Sequence, residues 1–143
     1  MARHPVRTFI KGIVRLGLAG FMLTAGIGHF RSTESFRAQV PPFLPYTDAI
    51  IYVSGVFEIA IALALVLLPR YRAQVGWLLA AFYVVIFPGN ISQYLTQTSA
   101  FGLDTDSARL IRLLFQPVLI ILALWSTNAW SQFRARRAAH KAR

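Results

Sequence analysis

Four long apolar stretches divide the chain, and short polar segments separate them. The stretches run from Phe9 to Phe30, from Ala49 to Leu68, from Ala73 to Tyr94 and from Leu113 to Phe133. About 20 mainly apolar residues are needed to cross the hydrocarbon core of a bilayer, so each stretch predicts a transmembrane helix. We therefore predict an all-α membrane protein, a four-transmembrane-helix bundle in one domain over residues 1–133, followed by a basic cytoplasmic tail over residues 134–143.

The first stretch is the least regular of the four, since Lys11 and Arg15 lie in its opening turns. As part of a membrane helix, both side chains would have to extend their charged ends back to the membrane surface. A cleaved signal peptide is the alternative interpretation, but no small-residue cleavage site follows and the apolar stretch is too long. We therefore expect a transmembrane helix here.

The segments between the stretches differ in character. Residues 69–72 form a very short connection, which predicts a tight hairpin between the second and third helices. The segment from Arg31 to Asp48 is rich in proline, which prevents one continuous helix, and it also carries apolar side chains. We expect this outer loop to lie at the membrane interface and to cover part of the bundle. The polar segment from Leu95 to Ala108 is expected to be an ordinary connection.

Composition supports the membrane interpretation. Hydrophobic residues make up 56% of the chain and charged residues 14%, whereas a soluble domain is about 25% charged. The chain has no cysteine, which excludes disulfides, thiol redox chemistry and thiolate metal ligands.

The formal net charge of +10 is distributed unevenly between the two sides of the bundle. One side is balanced between four arginines and four acids: Arg31, Arg37, Arg109 and Arg112 against Glu34, Asp48, Asp104 and Asp106. Every other lysine and arginine falls on the opposite side, without an acid. Basic loops stay in the cytoplasm, so we expect both termini there, in a bacterial inner (plasma) membrane. The basic tail is expected to contact anionic lipid of the bilayer, and we predict no nucleic-acid partner.

Glu58 is the least expected residue for a membrane helix, because it lies in the middle of the second stretch. An acid at that depth costs about 2.5–3.5 kcal/mol, so its side chain should face the bundle interior and be protonated or paired. Ser54 lies one turn away on the same face. We predict Glu58 as the catalytic residue.

Further polar residues lie in the outer half of the other three helices. At 1.5 Å per residue, Asn90 and Gln116 should lie about 5–6 Å below the outer boundary and Glu58 about 14 Å below it. We therefore predict an outer-half cavity with Glu58 at its floor. Its predicted ligand-binding residues are His29, Ser54, Asn90, Arg112 and Gln116. No metal site and no intrinsic cofactor are expected, since too few histidines lie near the interior.

Each of these residues also has a structural interpretation. Glu58 would pair with Arg112 or Arg109, as buried acids usually pair with a cation. Asn90 would cap carbonyls freed by Pro88. In this interpretation His29 is an interfacial hydrogen-bonding residue, and the remaining polar residues only hold the bundle together.

Several short segments, taken in order, resemble the DoxX and DoxX-like family of small four-helix membrane proteins. The segments are Gly26-Ile27-Gly28-His29-Phe30, Val40-Pro41-Pro42-Phe43-Leu44-Pro45, Ser54-Gly55-Val56-Phe57-Glu58-Ile59, Phe87-Pro88-Gly89-Asn90-Ile91 and Arg112-Leu113-Leu114-Phe115-Gln116. The family pattern usually has alanine where Gly89 stands. The resemblance implies a four-helix fold. It also implies association with quinone-linked sulfur oxidation or with membrane oxidoreductase complexes, or, from more distant relatives, a role as an assembly chaperone.

Two functions remain open after these observations. In the first, the protein is a redox-associated subunit that binds a quinone or another lipophilic small molecule. His29 and Asn90 would hydrogen-bond a carbonyl, and Glu58 would exchange a proton. Electrons would require a membrane or peripheral redox partner protein. Association of the chain into a homo-oligomer is left open. In the second, it is a non-enzymatic accessory or assembly protein whose polar cluster is structural. A proton-coupled transporter is a weaker alternative, because the paired halves of such proteins are missing from a single copy.

Overall fold

The computed structural model describes residues 5–142, and this part of the chain is helical and contains no strand. Its helices are α1 Pro5–Arg31, α2 Thr33–Arg37, α3 Thr47–Leu67, α4 Arg72–Leu95, α5 Asp106–Ser126 and α6 Ala129–Lys141. A 3-10 turn, Pro69–Tyr71, joins α3 to α4. Arg3 and Arg143, which the sequence assigned to the basic side, lie outside the described residues.

Four of these helices, α1, α3, α4 and α5, are long enough and apolar enough to cross a membrane. The predicted all-helical fold with four such helices is therefore confirmed. The hairpin between α3 and α4 is as short as the sequence indicated, because the 3-10 turn occupies nearly the whole connection.

The four long helices form two closely packed pairs. α1 packs along α3, α4 packs along α5, and the pairs meet where α1 contacts α5 and α3 contacts α4. The apolar core that they share includes Met22, Leu65, Leu79, Tyr83 and Leu119. The outward faces carry large exposed apolar residues such as Val66, Val85 and Ile121. A surface of this kind is suited to lipid rather than to water.

The fourth long helix differs from the predicted stretch Leu113–Phe133. It begins earlier, at Asp106, because the Thr105 hydroxyl accepts the backbone N–H of Ala108 and caps the first turn. It ends at Ser126, and Asn128 then adopts a left-handed conformation with φ of 61°. Because Trp130 and Phe133 are apolar, the stretch predicted from the sequence continues across this break.

The predicted basic tail is largely the helix α6, which is packed against α4 and α5. Gly76 on α4 makes this packing possible, since a Cβ atom there would overlap the side chain of Thr127. Trp77 of α4 contacts Trp130 and Phe133 of α6 through their rings. Lys11 donates a hydrogen bond to Asn128 at the break between α5 and α6.

Candidate functional site

A cavity of about 640 Å³ lies between the two helix pairs, at the end where α1 and α4 finish and α3 and α5 begin. Its volume is typical of small-molecule sites, which measure about 300–1,000 Å³. Most of its wall is apolar. All six residues selected from the sequence line this one cavity: His29, Ser54, Glu58, Asn90, Arg112 and Gln116. Their chemical roles stay predictions.

Glu58 lies beside His29 in the cavity wall, and both side chains are buried. The Nδ1 atom of His29 is 2.8 Å from the Ala25 carbonyl oxygen and 3.2 Å from Oε2 of Glu58. Because a carbonyl only accepts, the short contact to Ala25 indicates that Nδ1 carries a proton. Oε2 has no well-aligned hydrogen-bond donor, so its contact with His29 is electrostatic. The second ring nitrogen, Nε2, is left available to another group.

Two glycines bring these side chains together where α1 crosses α3. A Cβ atom on Gly26 would lie 3.1 Å from Cβ of Glu58, and one on Gly55 would lie 2.8 Å from Cβ of His29. Each glycine therefore makes room for the polar residue of the opposite helix. The backbones approach so closely here that the Gly55 oxygen would be 2.9 Å from the added Gly26 Cβ. Such contact between glycines is a common basis of helix pairing in lipid.

The partner of Glu58 differs from the one expected in the structural interpretation. Arg109 donates to Oδ1 of Asp106 at 2.7 Å and to the Leu103 carbonyl at 2.9 Å, so it is occupied elsewhere. His29 takes the place that the sequence gave to Arg109 or Arg112. Ser54 lines the cavity, but it makes no hydrogen bond to Glu58 in the described part of the chain.

Asn90, Gln116 and Arg112 form a hydrogen-bonded chain between α4 and α5. Asn90 donates to Oε1 of Gln116 at 3.0 Å, and Gln116 donates to the Tyr83 carbonyl at 2.9 Å. Arg112 donates from Nε to Oδ1 of Asn90 at 3.3 Å. The expected capping of carbonyls freed by Pro88 is not seen for Asn90, which bonds to the side chains of Gln116 and Arg112. Gln116 donates to the Tyr83 carbonyl, about one turn before Pro88.

Two aromatic residues from the connecting loops cover the end of the cavity. The Phe36 ring lies 3.8 Å from the His29 ring, and Phe101 meets Phe36 edge-on at 4.8 Å. The Arg112 guanidinium lies 5.3 Å from the Phe101 ring centre. Sequence reasoning missed Phe101 and the neighbouring Leu103, because their segment was interpreted as an ordinary polar connection. The only available signal was two large apolar side chains within that segment.

The first outer loop is fixed against α4 and α3. The Gln39 carbonyl would lie 2.5 Å from a Cβ atom on Gly89, so this glycine allows the loop to rest on the helix. Gln39 also donates to Gln93 at 3.3 Å. At the other end of the loop, Arg37 donates twice to Asp48, at 2.9 Å each. These bonds raise the pKa of the Arg37 guanidinium above its ordinary value.

The arrangement can hold a mainly apolar molecule and offer it a few polar contacts. Within residues 5–142, no group of three or more His, Asp or Glu side chains is placed to hold a metal ion. Arg112 and the amides could offer a ligand hydrogen bonds, and His29 and Glu58 are the cavity residues able in principle to exchange a proton.

Comparison with known proteins gives a family without an assigned role. Neither a curated protein nor a solved structure matches the chain. A family model described as "Domain of unknown function (DUF8561)" matches residues 18–127, a range that contains every residue lining the cavity. The chain therefore belongs to the DUF8561 family.

Proposed function

We propose that the protein is an integral protein of a bacterial inner membrane and binds a lipophilic small molecule in the cavity between its helix pairs. The exposed apolar faces of the four long helices support insertion into lipid. The excess of basic residues at the end away from the cavity supports cytoplasmic termini. In this orientation the cavity lies in the outer half of the membrane, and the Pro-rich loop lies at the outer interface.

The observation that carries the ligand proposal is one apolar-walled cavity lined by buried polar groups from all four long helices. Its wall is partly shared with the lipid-facing surface. Phe21 of α1 and Phe115 of α5 both line the cavity, yet they are 50% and 49% exposed. Because α1 and α5 are neighbours, a lipophilic ligand would enter between them directly from the bilayer.

A quinone is the first ligand to test, and the redox role rests on the resemblance to the DoxX family. The Asn90 amide would donate a hydrogen bond to a carbonyl of the quinone, and Nε2 of His29 would do the same in the form of the ring that is protonated on both nitrogens. Glu58, in contact with His29, would accept or supply the proton. Electrons would come from a partner protein in or on the membrane.

Mass spectrometry of small molecules carried by the gently purified protein tests ligand binding. Ser54→Phe places a large ring in the cavity, and its matched control is Val53→Phe, at an exposed neighbouring position outside the cavity wall. We expect the wild type and Val53→Phe to retain the same lipophilic compound and Ser54→Phe to lose it. Equal retention by both variants would place the compound on the lipid-facing surface and refute the cavity proposal.

Glu58→Gln tests the proton-transfer role. The amide keeps the shape of the carboxyl but cannot exchange a proton, so we expect quinone-linked activity in membranes to be lost while the protein still accumulates. Full activity in this variant would remove Glu58 from the mechanism.

A second candidate is an accessory or assembly protein, and the hydrogen-bonded chain from Arg112 through Asn90 to Gln116 favours it. These side chains satisfy one another, as expected of residues that hold α4 to α5. Under this alternative Asn90→Ala lowers protein level and partner recovery, and no compound co-purifies with the wild type.

A further inference from the structure

We infer that the cavity takes an amphipathic acid, with its carboxylate or phosphate head on Arg112 and its single alkyl chain in the apolar interior. The inference rests on the proposed function, since it names the class of ligand for the same cavity. Four observations carry it: the charge balance of the site, the unused donors of Arg112, the position of Arg112 near the mouth, and the apolar wall beyond it.

Arg112 is a cavity-lining cation without an acidic partner. All five acids of the chain belong to the described residues, and none lies within 4 Å of Arg112. The carboxylates in ion pairs contact other cations: Glu34 and Asp48 contact Arg37, Asp106 contacts Arg109, and Glu58 contacts His29. Arg112 is partly buried, and a cation removed from water is normally paired, so an anion from outside the chain would complete this site.

The remaining charges in the cavity do not replace that anion. Glu58 contacts His29 at 3.2 Å and makes no ion pair with Arg112 within 4 Å. Arg112 is the arginine that lines the cavity, and its guanidinium stays positively charged. The head group of an acid would place an opposite charge beside the guanidinium, which adds to the strength of the hydrogen bonds it accepts.

The guanidinium of Arg112 is oriented but largely unused. Nε donates to Asn90, and the plane lies over the Phe101 ring. No hydrogen bond from its two terminal nitrogens occurs within residues 5–142. These nitrogens form a rigid fork that matches the two oxygens of a carboxylate or phosphate. The Asn90 and Phe101 contacts fix the fork in place before a ligand arrives.

The position of Arg112 suits the head of a lipid. It lies about 9 Å along α5 from Asp106, whereas Glu58 lies about 16 Å along α3 from Thr47. Beyond Arg112 the wall carries Glu58 and Gln116, and its apolar part includes Met22, Ile86 and Leu119. An acid from the outer leaflet would keep its head near the interface and place its chain among these residues.

The test compares an acidic and a neutral head group on alkyl chains of the same length, with a quinone as a third ligand. The protein is reconstituted at pH 8 in phosphatidylcholine nanodiscs containing equal mole fractions of hexadecanoic acid, hexadecanol and a short-chain quinone. Native mass spectrometry then counts the molecules retained. Because ionised hydrogen bonds are stronger than neutral ones, we expect the wild type to prefer the acid over the alcohol by about tenfold or more. This measurement uses only the wild-type protein, so its result does not depend on whether a variant folds.

Arg112→Gln should abolish the preference, and Arg112→Lys should keep part of it. The matched control is Arg31→Gln, which removes an exposed cation at the same end of the bundle and should keep the full preference. Loss of the preference in Arg31→Gln as well would assign it to the general charge of the surface and overturn the inference.

The remaining outcomes separate this inference from the proposed function. If the wild type retains the quinone or the alcohol to the same extent as the acid, the acidic head group is refuted and the cavity proposal stands. If acetate displaces hexadecanoate at equal concentration, the site binds free anions and the alkyl chain is refuted. If the wild type retains none of the compounds, and no more than Ser54→Phe does, both proposals fail.

Discussion

Asn90 on α4 and Gln116 on α5 are joined by a buried hydrogen bond of 3.0 Å, which makes them suitable for a double-mutant cycle. Their residues are 7% and 5% exposed, so water cannot readily replace a lost partner. The two single variants are Asn90→Ala and Gln116→Ala, and the double variant removes both side chains. The cycle isolates the energy of the bond from the other effects of each substitution.

The structure sets the expected magnitudes. Asn90→Ala leaves Oε1 of Gln116 and Nε of Arg112 without partners, and Gln116→Ala leaves the Tyr83 carbonyl without its side-chain donor. A buried polar group without a partner costs about 1–3 kcal/mol, so each single variant should lose stability in that range. Hydrogen bonds between membrane helices average about 0.6 kcal/mol and reach about 1.7 kcal/mol. We expect a coupling energy between these two values.

Reversible unfolding in mixed micelles of a mild detergent and sodium dodecyl sulfate, followed by tryptophan fluorescence, gives the free energy of unfolding. The control cycle pairs Asn90→Ala with Gln132→Ala, because Gln132 is an exposed residue of α6. Its energies should add within about 0.3–0.5 kcal/mol. If the Asn90 and Gln116 energies also add within that margin, the bond does not hold α4 to α5, and the structural role of the chain is refuted.

Two glycine substitutions test the close contacts of α4. Gly76→Ala should lower the free energy of unfolding by about 1–3 kcal/mol, as overpacking does, because its methyl group would overlap Thr127. The same change at Gly12, which meets no atom within 4 Å, should leave stability unchanged or slightly raised. Gly89→Ala should push the Gln39 carbonyl away from α4, and faster proteolysis of residues 38–46 than in the wild type would show this. Equal cleavage rates would indicate that the loop does not rest on Gly89.

The helix-forming stretches were predictable because apolar length alone identifies them, but their ends were not. Thr105 and Asn128 set the limits of α5 through a side-chain cap and a left-handed backbone conformation. Neither feature changes the hydropathy of the segment. Trp130 and Phe133 belong to α6, yet they extend the apolar stretch in the sequence, so the predicted fourth helix was displaced toward the C-terminus.

The cavity was predictable for a related reason. A polar side chain inside an apolar helix must face other protein or a polar space. Polar residues in the outer half of three helices, with Glu58 near the middle of the fourth, therefore indicate one shared site. The loop cover was not predictable, because Phe101 reaches the cavity through the path of its loop and not through helical periodicity. Its contacts with Phe36 and Arg112 depend on how two separate loops fold over the same end.

The partner of Glu58 depends on the distance between α1 and α3, which the sequence of either helix alone does not determine. Arginine was expected because it is the commonest partner of an acid, and Arg109 and Arg112 were the candidates at suitable depth. The choice of His29 follows from Gly26 and Gly55, which let α1 and α3 approach until each polar residue fits against the glycine of the other helix. Larger residues at these positions would separate the helices and with them His29 from Glu58. The contact between His29 and Glu58 therefore depends on the absence of side chains at Gly26 and Gly55 as much as on the two polar residues themselves.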